Sequence, residues 1–523
     1  MYDLLATLPK LFAIKDMGHG LIIGLLLMLV FSIKWQLAFL RTLPSVSMVC
    51  LLLALSLGLG YLIFPNYIDH AEPAVAVIGQ IVAIGGQAYP KGTDWQFNGL
   101  VYGPGLYLIN ALGTQLFDPV VGSKVPSVLS YVLSLILLWW LLPTTFARSM
   151  LVLTYLFYEF SFWNRPEAHL LFLSVLGIVL IERSRVMSIT GMGLLAGIAT
   201  SLKFTGFLFF VPMVFWLLLQ KNNWYQLLLA VFLGISLAIF PYALPSFSYY
   251  NHVAYIQTLA TQTLESSLFL SNLAYTVFSL IPIVWLWSSQ RHVTSNKHLG
   301  FVILLDTFIE LLICIAASKP GAGPHHLLPG IPIKIWLVHQ LTLNNAVIVG
   351  RAQRFMGLVM FSLSIYYISY GFPKFLRIHY VSKEYFHQQF QAKDELKNFL
   401  ENYPYPLMGV SDDLHANYSL SFFRPYAFSP AYSKYLDPVA YMEVNFTLGV
   451  DDHLFVERMQ SCTYPSIVLP AQGIPFSLSS FYFKDKRQLF SNNLRSAFAS
   501  KYKLVKHGRF YDVYTCSELK KEE

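Results

Sequence analysis

Apolar residues run in long uninterrupted blocks from Leu21 to about Gly371, separated by short polar or basic stretches, and after Lys374 the blocks stop. Blocks of this length suit helices crossing about 30 Å of hydrocarbon. Candidate spans fall at 19–34, 46–64, 124–143, 149–163, 167–182, 190–202, 204–220, 224–241, 267–288, 299–317, 325–341 and 354–373. The pair 190–202 and 204–220 and the span 149–163 are short enough to be broken or tilted. The pattern predicts an α-helical polytopic membrane protein of about twelve spans. Residues 1–375 form its membrane domain, and 376–523 a separate C-terminal domain. The first span has Lys10 and Lys15 before it but "FSIKW" offers no small-residue cleavage site, so it is expected to remain a span.

Composition agrees with that solvent. Of 523 residues 55% are hydrophobic and 12% charged, and the mean hydropathy is +0.52. The net charge of +8 belongs almost wholly to the membrane half, with about 19 Lys and Arg against 12 Asp and Glu up to Lys374. Lys34, Arg41, Arg148, Arg183, Arg185, Lys221, Arg291, Lys297, Arg351 and Arg354 lie in short connections on one side, which the positive-inside rule makes cytoplasmic. Basic residues placed this way report topology and give no indication of a nucleic-acid partner. Both termini and the C-terminal domain then lie outside the cytoplasm.

Past Lys374 the pattern becomes that of an α/β domain. A helix is expected over 384–401, strands at "PLMGV" and "SIVLP", a helix over 495–501, and a hairpin from "YKLVKHG" and "RFYDVYTC". Cys462 and Cys516 lie in this domain and can bridge in an oxidising compartment, whereas Cys50 and Cys314 fall in spans. The domain holds no metal cluster, nucleophile elbow or phosphate loop, which leaves acceptor binding or a cap over the site as its role.

Two external connections are long, 65–123 and 245–266, and loops of that length usually carry function. The first begins "IDHAEP", setting Asp69 and Glu72 where the chain leaves the bilayer. Their architectural reading is an N-cap with a first-turn acid. An apolar helix follows over 74–84, stopped by Gly85-Gly86, then a turn at Tyr89-Pro90, then "YGPG" (102–105) opening a second helix. Deeper in the membrane half, Glu310 and Lys334 lie on consecutive antiparallel spans whose midpoint is Ala322. Equal depth predicts that they pair.

The order of these features resembles the first external loop of GT-C glycosyltransferases, the polytopic enzymes that include protein O-mannosyltransferases and the lipid A aminoarabinose transferase. "NRPEAHLLFL" (164–173) is similar to their Arg-Pro-acid stretch. "GLLAGIATSLKFTGFLFFVP" (193–212) resembles their Gly-rich helix and Thr/Ser-x-Lys break, and "KPGAGPHHLLPGIP" (319–332) their late external loop. The likeness covers most of 46–375. Two features depart from the pattern. No lysine occupies the Tyr-Pro step "VYGPG", and the acids are spaced Asp-x-x-Glu where many relatives have adjacent ones.

The resemblance implies transfer of a sugar from a polyprenyl-phosphate donor to an extracytoplasmic acceptor, with inversion at the anomeric centre. Asp69 is the better match for the general base, with Glu72 as the alternative. Such transfer needs a base for the acceptor proton and cations at the departing phosphate. Arg165, Lys203, Lys319, His325 and His326 are the candidate phosphate ligands, and Tyr89, Asp94, Trp95 and Tyr102 the further substrate contacts. Each has an architectural alternative: Lys203 as a snorkelling lysine, Arg165 as a partner of Glu159 or Glu167, Asp94 as a solvated turn. Adjacent histidines point apart on a helix and no acid is near in sequence, so no metal is expected at His325-His326. The expected cofactor is none, with a divalent cation not indicated. The expected partners are the donor, an acceptor the sequence does not name, and membrane lipid, with a bacterial plasma membrane as the location. A transporter or lipid-linked glycan flippase would suit the same hydropathy, but transporters commonly carry internal repeats and the chain has none.

Overall fold

The computed structural model describes residues 33–69, 71–90, 102–142, 148, 161–183, 188–221, 224–289, 297–343, 383–403, 406–411, 420–428, 441, 452–480 and 487–517. The helices are α1 (Ile33–Ile63), α2 (Ala71–Ala83), α3 (Pro104–Leu116), α4 (Pro119–Leu141), α5 (Pro166–Arg183) and α6 (Ser188–Leu202). They continue with α7 (Val211–Lys221), α8 (Trp224–Ile239), α9 (Tyr249–Ala260), α10 (Ser266–Ser289), α11 (Lys297–Ala316) and α12 (Ile331–Leu343). The C-terminal part holds α13 (Lys383–Asn402), β1 (Pro406–Met408), α14 (Leu420–Ala427), α15 (His453–Gln460), β2 (Ser466–Pro470), α16 (Asn492–Lys501), β3 (Tyr502–His507) and β4 (Tyr511–Cys516).

Among the described residues, 5 helical segments are long and apolar enough to cross a membrane: Ser45–Ile63, Pro119–Leu141, Trp224–Ala243, Ser266–Ser288 and Lys297–Ala316. Of the expected spans, 354–373, most of 149–163 and most of 19–34 lie outside the described residues, as does the domain boundary near 375. The segments expected at 190–202 and 204–220 are two helical pieces that fold back on each other at Lys203. Helix α6 ends at Leu202, and a 3-10 turn, Phe204–Phe210, leads into α7. A second 3-10 turn, Pro324–Gly330, precedes α12 in the same way. Each break interrupts the backbone ladder, which hydrocarbon tolerates only where protein or a cavity satisfies the freed groups.

Glycine sets the closest crossings. A Cβ at Gly193 would come within 2.2 Å of the Ala230 carbonyl, and one at Gly197 within 2.4 Å of the Gly234 carbonyl, so α6 and α8 meet backbone to backbone. The outward side of α8 is apolar and exposed at Leu228, Val231, Phe232 and Ile235, as suits a face turned to lipid. Helix α2 stops where Gly85 takes φ +80, at the position the sequence predicts. Asp118 caps α4, accepting from the Val120 N–H at 3.1 Å ahead of Pro119.

The C-terminal sheet has the order β1-β2-β4-β3, with β1 parallel to β2 and the other pairs antiparallel. Strand β2 is buried on both faces. Ile467 and Leu469 pack with Phe476 and Leu494 on one side, while Val468 packs with Leu396 and Val513 on the other. Cys462 and Cys516 are bridged, their Cα atoms 5.8 Å apart. The expected helix, strand, helix and hairpin are all present.

Candidate active site

Of the two acids, Asp69 lies in the turn between α1 and α2, and Glu72 stands in the first turn of α2. Glu72 is fully buried. One carboxylate oxygen accepts from the backbone N–H groups of Ile68 and Asp69, each at 2.8 Å. The other accepts from the Asn164 N–H at 2.8 Å and from the Tyr61 hydroxyl. Asp69 in turn accepts from the Ala71 N–H at 3.0 Å. The reciprocal arrangement is a capping box, so the architectural reading of "IDHAEP" is correct as far as it goes. Burial pushes the Glu72 carboxyl up while the Tyr61 hydroxyl and the backbone donors pull it down. With four donors on two oxygens, Glu72 has no capacity left for a substrate.

Asp69 differs. Its side chain is 24% exposed and pairs with the guanidinium of Arg165. The sequence offered Glu159 or Glu167 as the partner of Arg165, and the fold supplies Asp69 because the start of α5 abuts the α1–α2 turn through the Asn164–Glu72 bond. Arg165 stacks over the Trp163 ring at 4.1 Å and donates to His325 Nε2 at 3.2 Å. One guanidinium thus ties the acid of the first loop to the histidine of the last.

Lys203 stands at the α6 break, in extended conformation before the first 3-10 turn. Its ammonium donates to Glu167 at 2.7 Å and touches His326 Nδ1. Two glycines of "YGPG" put it there. The Gly103 N–H donates to the Leu202 carbonyl at 2.8 Å, and a Cβ at Gly103 or Gly105 would meet Ser201 at 2.2 or 2.5 Å. The Tyr-Pro step therefore lies directly on the backbone before Lys203. A lysine absent from that step in sequence is present beside it in space.

His325 and His326 occupy the second 3-10 turn with ring centroids 4.2 Å apart. Burial holds His326 down at about 4, helped by the Lys203 charge, and it pushes His325 well below its usual value, helped by His326 and Arg165. Both are neutral near pH 7 and act as hydrogen-bonding groups. The expectation that no acid lies near them is overturned. Glu167, from α5, is buried beside both, and the three residues offer ligand atoms within 4.8 Å of one another. Two neutral imidazoles and a carboxylate fit a divalent ion by donor type. The Lys203 ammonium already bridges Glu167 and His326, however, so the cation which that trio holds here is the lysine's.

Tyr102, Arg165, Lys203, Lys319 and His326 line one cavity of about 260 Å³, walled by apolar residues including Phe204, Phe209 and Ile313. Lys319 stands at its edge and donates to the Leu259 carbonyl at 2.7 Å. Ala71 reaches the same cavity from the start of α2, and Asp69 lies behind Arg165. Tyr89 does not line it. This residue is fully buried, stacks on His252 at 4.3 Å and donates its hydroxyl to the Tyr102 carbonyl at 2.6 Å, bracing the turn that presents Tyr102. Asp94 and Trp95 lie outside the described residues. Sequence reasoning named Glu167 only as an alternative partner of Arg165 and passed over Trp163. An acid in the first turn of an apolar helix was the available signal, but its partners come from elements 36 and 159 residues away.

No protein-family model and no curated protein matches the chain. Among solved structures, the crystal structure of ArnT from Cupriavidus metallidurans bound to undecaprenyl phosphate superposes with a TM-score of 0.55, covering 92% of this chain and 98% of that one at 12% identity. The same protein in the apo state covers 92% and 97%, with a TM-score of 0.45. The chain has the ArnT fold, and the resemblance to GT-C glycosyltransferases holds at the level of fold.

Proposed function

We propose that the protein is a membrane glycosyltransferase that moves a sugar from a polyprenyl-phosphate donor to an acceptor outside the cytoplasm, with Asp69 as general base. The observation that carries this reading is the bridge from Asp69 through Arg165 into a cavity also lined by Lys203 and Lys319. Its fold neighbour was crystallised with undecaprenyl phosphate, a ligand of the donor's lipid class. The acceptor oxygen attacks the anomeric carbon from the face opposite the phosphate and gives its proton to Asp69. The bond from that carbon to the phosphate oxygen breaks, and its electron pair leaves with the polyprenyl phosphate. Charge grows on the departing oxygen, where Arg165, Lys203 and Lys319 stabilise it most strongly in the water-poor cavity. Glu167 and His326 hold Lys203 in place, and Glu72 holds the turn that presents Asp69.

Purified protein given a polyprenyl-phosphate sugar labelled in the sugar tests this reading. Transfer requires one polyprenyl phosphate released for each labelled sugar that leaves the lipid. A flippase would return the donor intact on the other leaflet, and that result would refute the proposal.

A further inference from the structure

Among the described residues, the C-terminal domain meets the membrane half around α2, which follows the candidate base, together with the turn before it and the start of α4. Phe422 and Tyr426 of α14 pack against Tyr67, Ala76 and Val120, and Phe428 packs against Val77 and Ile81. Gln80 of α2 donates to the Pro425 carbonyl at 3.0 Å. From α13, the Gln389 side chain accepts from the Asn66 amide at 2.8 Å, and Lys393 stands over the Tyr426 ring at 4.3 Å and 3.8 Å from Asp118.

These contacts hold one short piece of chain from two sides. On the membrane side, the buried Lys124 ammonium donates to the carbonyls of Tyr61, Phe64 and Asn66, at 3.1, 2.7 and 2.5 Å, closing the end of α1. On the domain side, Gln389 takes the Asn66 amide, and α14 covers the face of α2 that α3 and α4 leave open. Asp69 is three residues beyond Asn66 and two before α2. A helix of 13 residues is marginal alone and takes its order from what covers its apolar faces. The domain supplies one of those faces.

We propose that the C-terminal domain is a positioning element for the reaction, with Tyr426, Phe422 and Gln389 fixing α2 and thereby the Asp69 carboxylate against Arg165. The proposal rests on the glycosyltransferase reading for its kinetic readout but not for its structural one. It assigns the domain a task that needs no substrate contact, which accounts for an α/β unit without a catalytic motif.

The test uses the full chain in nanodiscs, with Tyr426→Ala, Phe422→Ala and the double variant, and Leu504→Ser on the exposed β3 edge as control. Positioning predicts that amide exchange over Ala71–Gly79 rises by about tenfold or more in the double variant. It also predicts a kcat reduced roughly tenfold with donor and acceptor KM changed less than about twofold, since only transition-state geometry is lost. Gln389→Ala, which removes a single hydrogen bond, moves the same readouts less and remains informative if the aromatic variants misfold. A raised acceptor KM with unchanged α2 exchange would make the domain an acceptor-binding module and overturn the proposal. Lower thermal stability with unchanged exchange and kcat would reduce it to packing, and equally overturn it. Wild-type protein without turnover, together with increased α2 exchange in the variants, would refute the enzymatic reading and leave the coupling standing.

Discussion

Among its described residues the membrane half contains two clusters of opposite charges, and their surroundings differ. Where the α1–α2 turn, the start of α5 and the two 3-10 segments meet, Asp69 pairs with Arg165 and Glu167 with Lys203 and His326, and Arg165, Lys203 and His326 open onto a cavity. Within the helices, Lys334 of α12 pairs with Glu310 of α11, and Asp306 lies one turn away on the same helix face, all nearly inaccessible. The inner pair is the one the sequence predicts from equal depth. It joins two regular helices and none of its residues lines the described cavity. On the proposed function, what separates the two clusters is the cavity that the outer one lines. On the same reading the inner pair, on unbroken helices and at equal depth, is structural.

The sharpest way to break this comparison is at the outer cluster. Asp69→Asn keeps the size and most of the capping ability but removes the proton acceptor. A loss of about 10²–10⁴-fold in kcat is expected, with thermal stability close to wild type. Glu72→Gln should do the reverse, costing about 1–3 kcal/mol of stability because one buried oxygen becomes a donor among donors, with a smaller loss of turnover. If the glutamine variant loses more activity than the asparagine one, the base is three residues along. Near wild-type rates in both would leave the outer cluster as structural as the inner one.

The inner cluster is tested by Lys334→Met. Removing the ammonium leaves Glu310 and Asp306 uncompensated, so a loss of roughly 3–5 kcal/mol is expected. The double variant Lys334→Met/Glu310→Met should recover only the share due to Glu310, since Asp306 stays buried without its lysine, with turnover retained in whatever fraction folds. Denaturation in detergent with a parallel transfer assay reads both. A double variant that is stable but inactive would move the inner cluster into the mechanism.

A smaller effect separates the clusters by pH. His326 titrates at about 4 in the fold against 6.5 ordinarily, so the unfolded chain takes up a proton that the folded chain refuses. Stability from this residue is intact above about 6.5 and is lost as pH falls toward 4. His325 contributes in the same direction. Melting curves at pH 7 and pH 5 should differ by about 2 kcal/mol through His326 alone, and His326→Gln should flatten the difference. An unchanged slope in that variant would show that the outer cluster does not exclude the proton.

Much was legible in the chain itself. Apolar block length identified the solvent, and the Gly-Gly stop, the YGPG start and the short blocks around Lys203 located the helix ends, because these depend on local backbone preference and on the thickness of hydrocarbon. The charged positions were legible too, since burying a charge needs a reason wherever it occurs. Tertiary structure alone decided which charges meet. Local sequence gives Asp69 and Glu72 different capping positions but not different partners, yet Glu72 is sealed by Tyr61 and Asn164 while Asp69 faces Arg165. Nor does any local feature bring Glu167 to a histidine pair 159 residues away, or the backbone of Gly103 to Leu202. Those outcomes depend on how helices stack, and stacking is set by surfaces contributed by many distant residues at once.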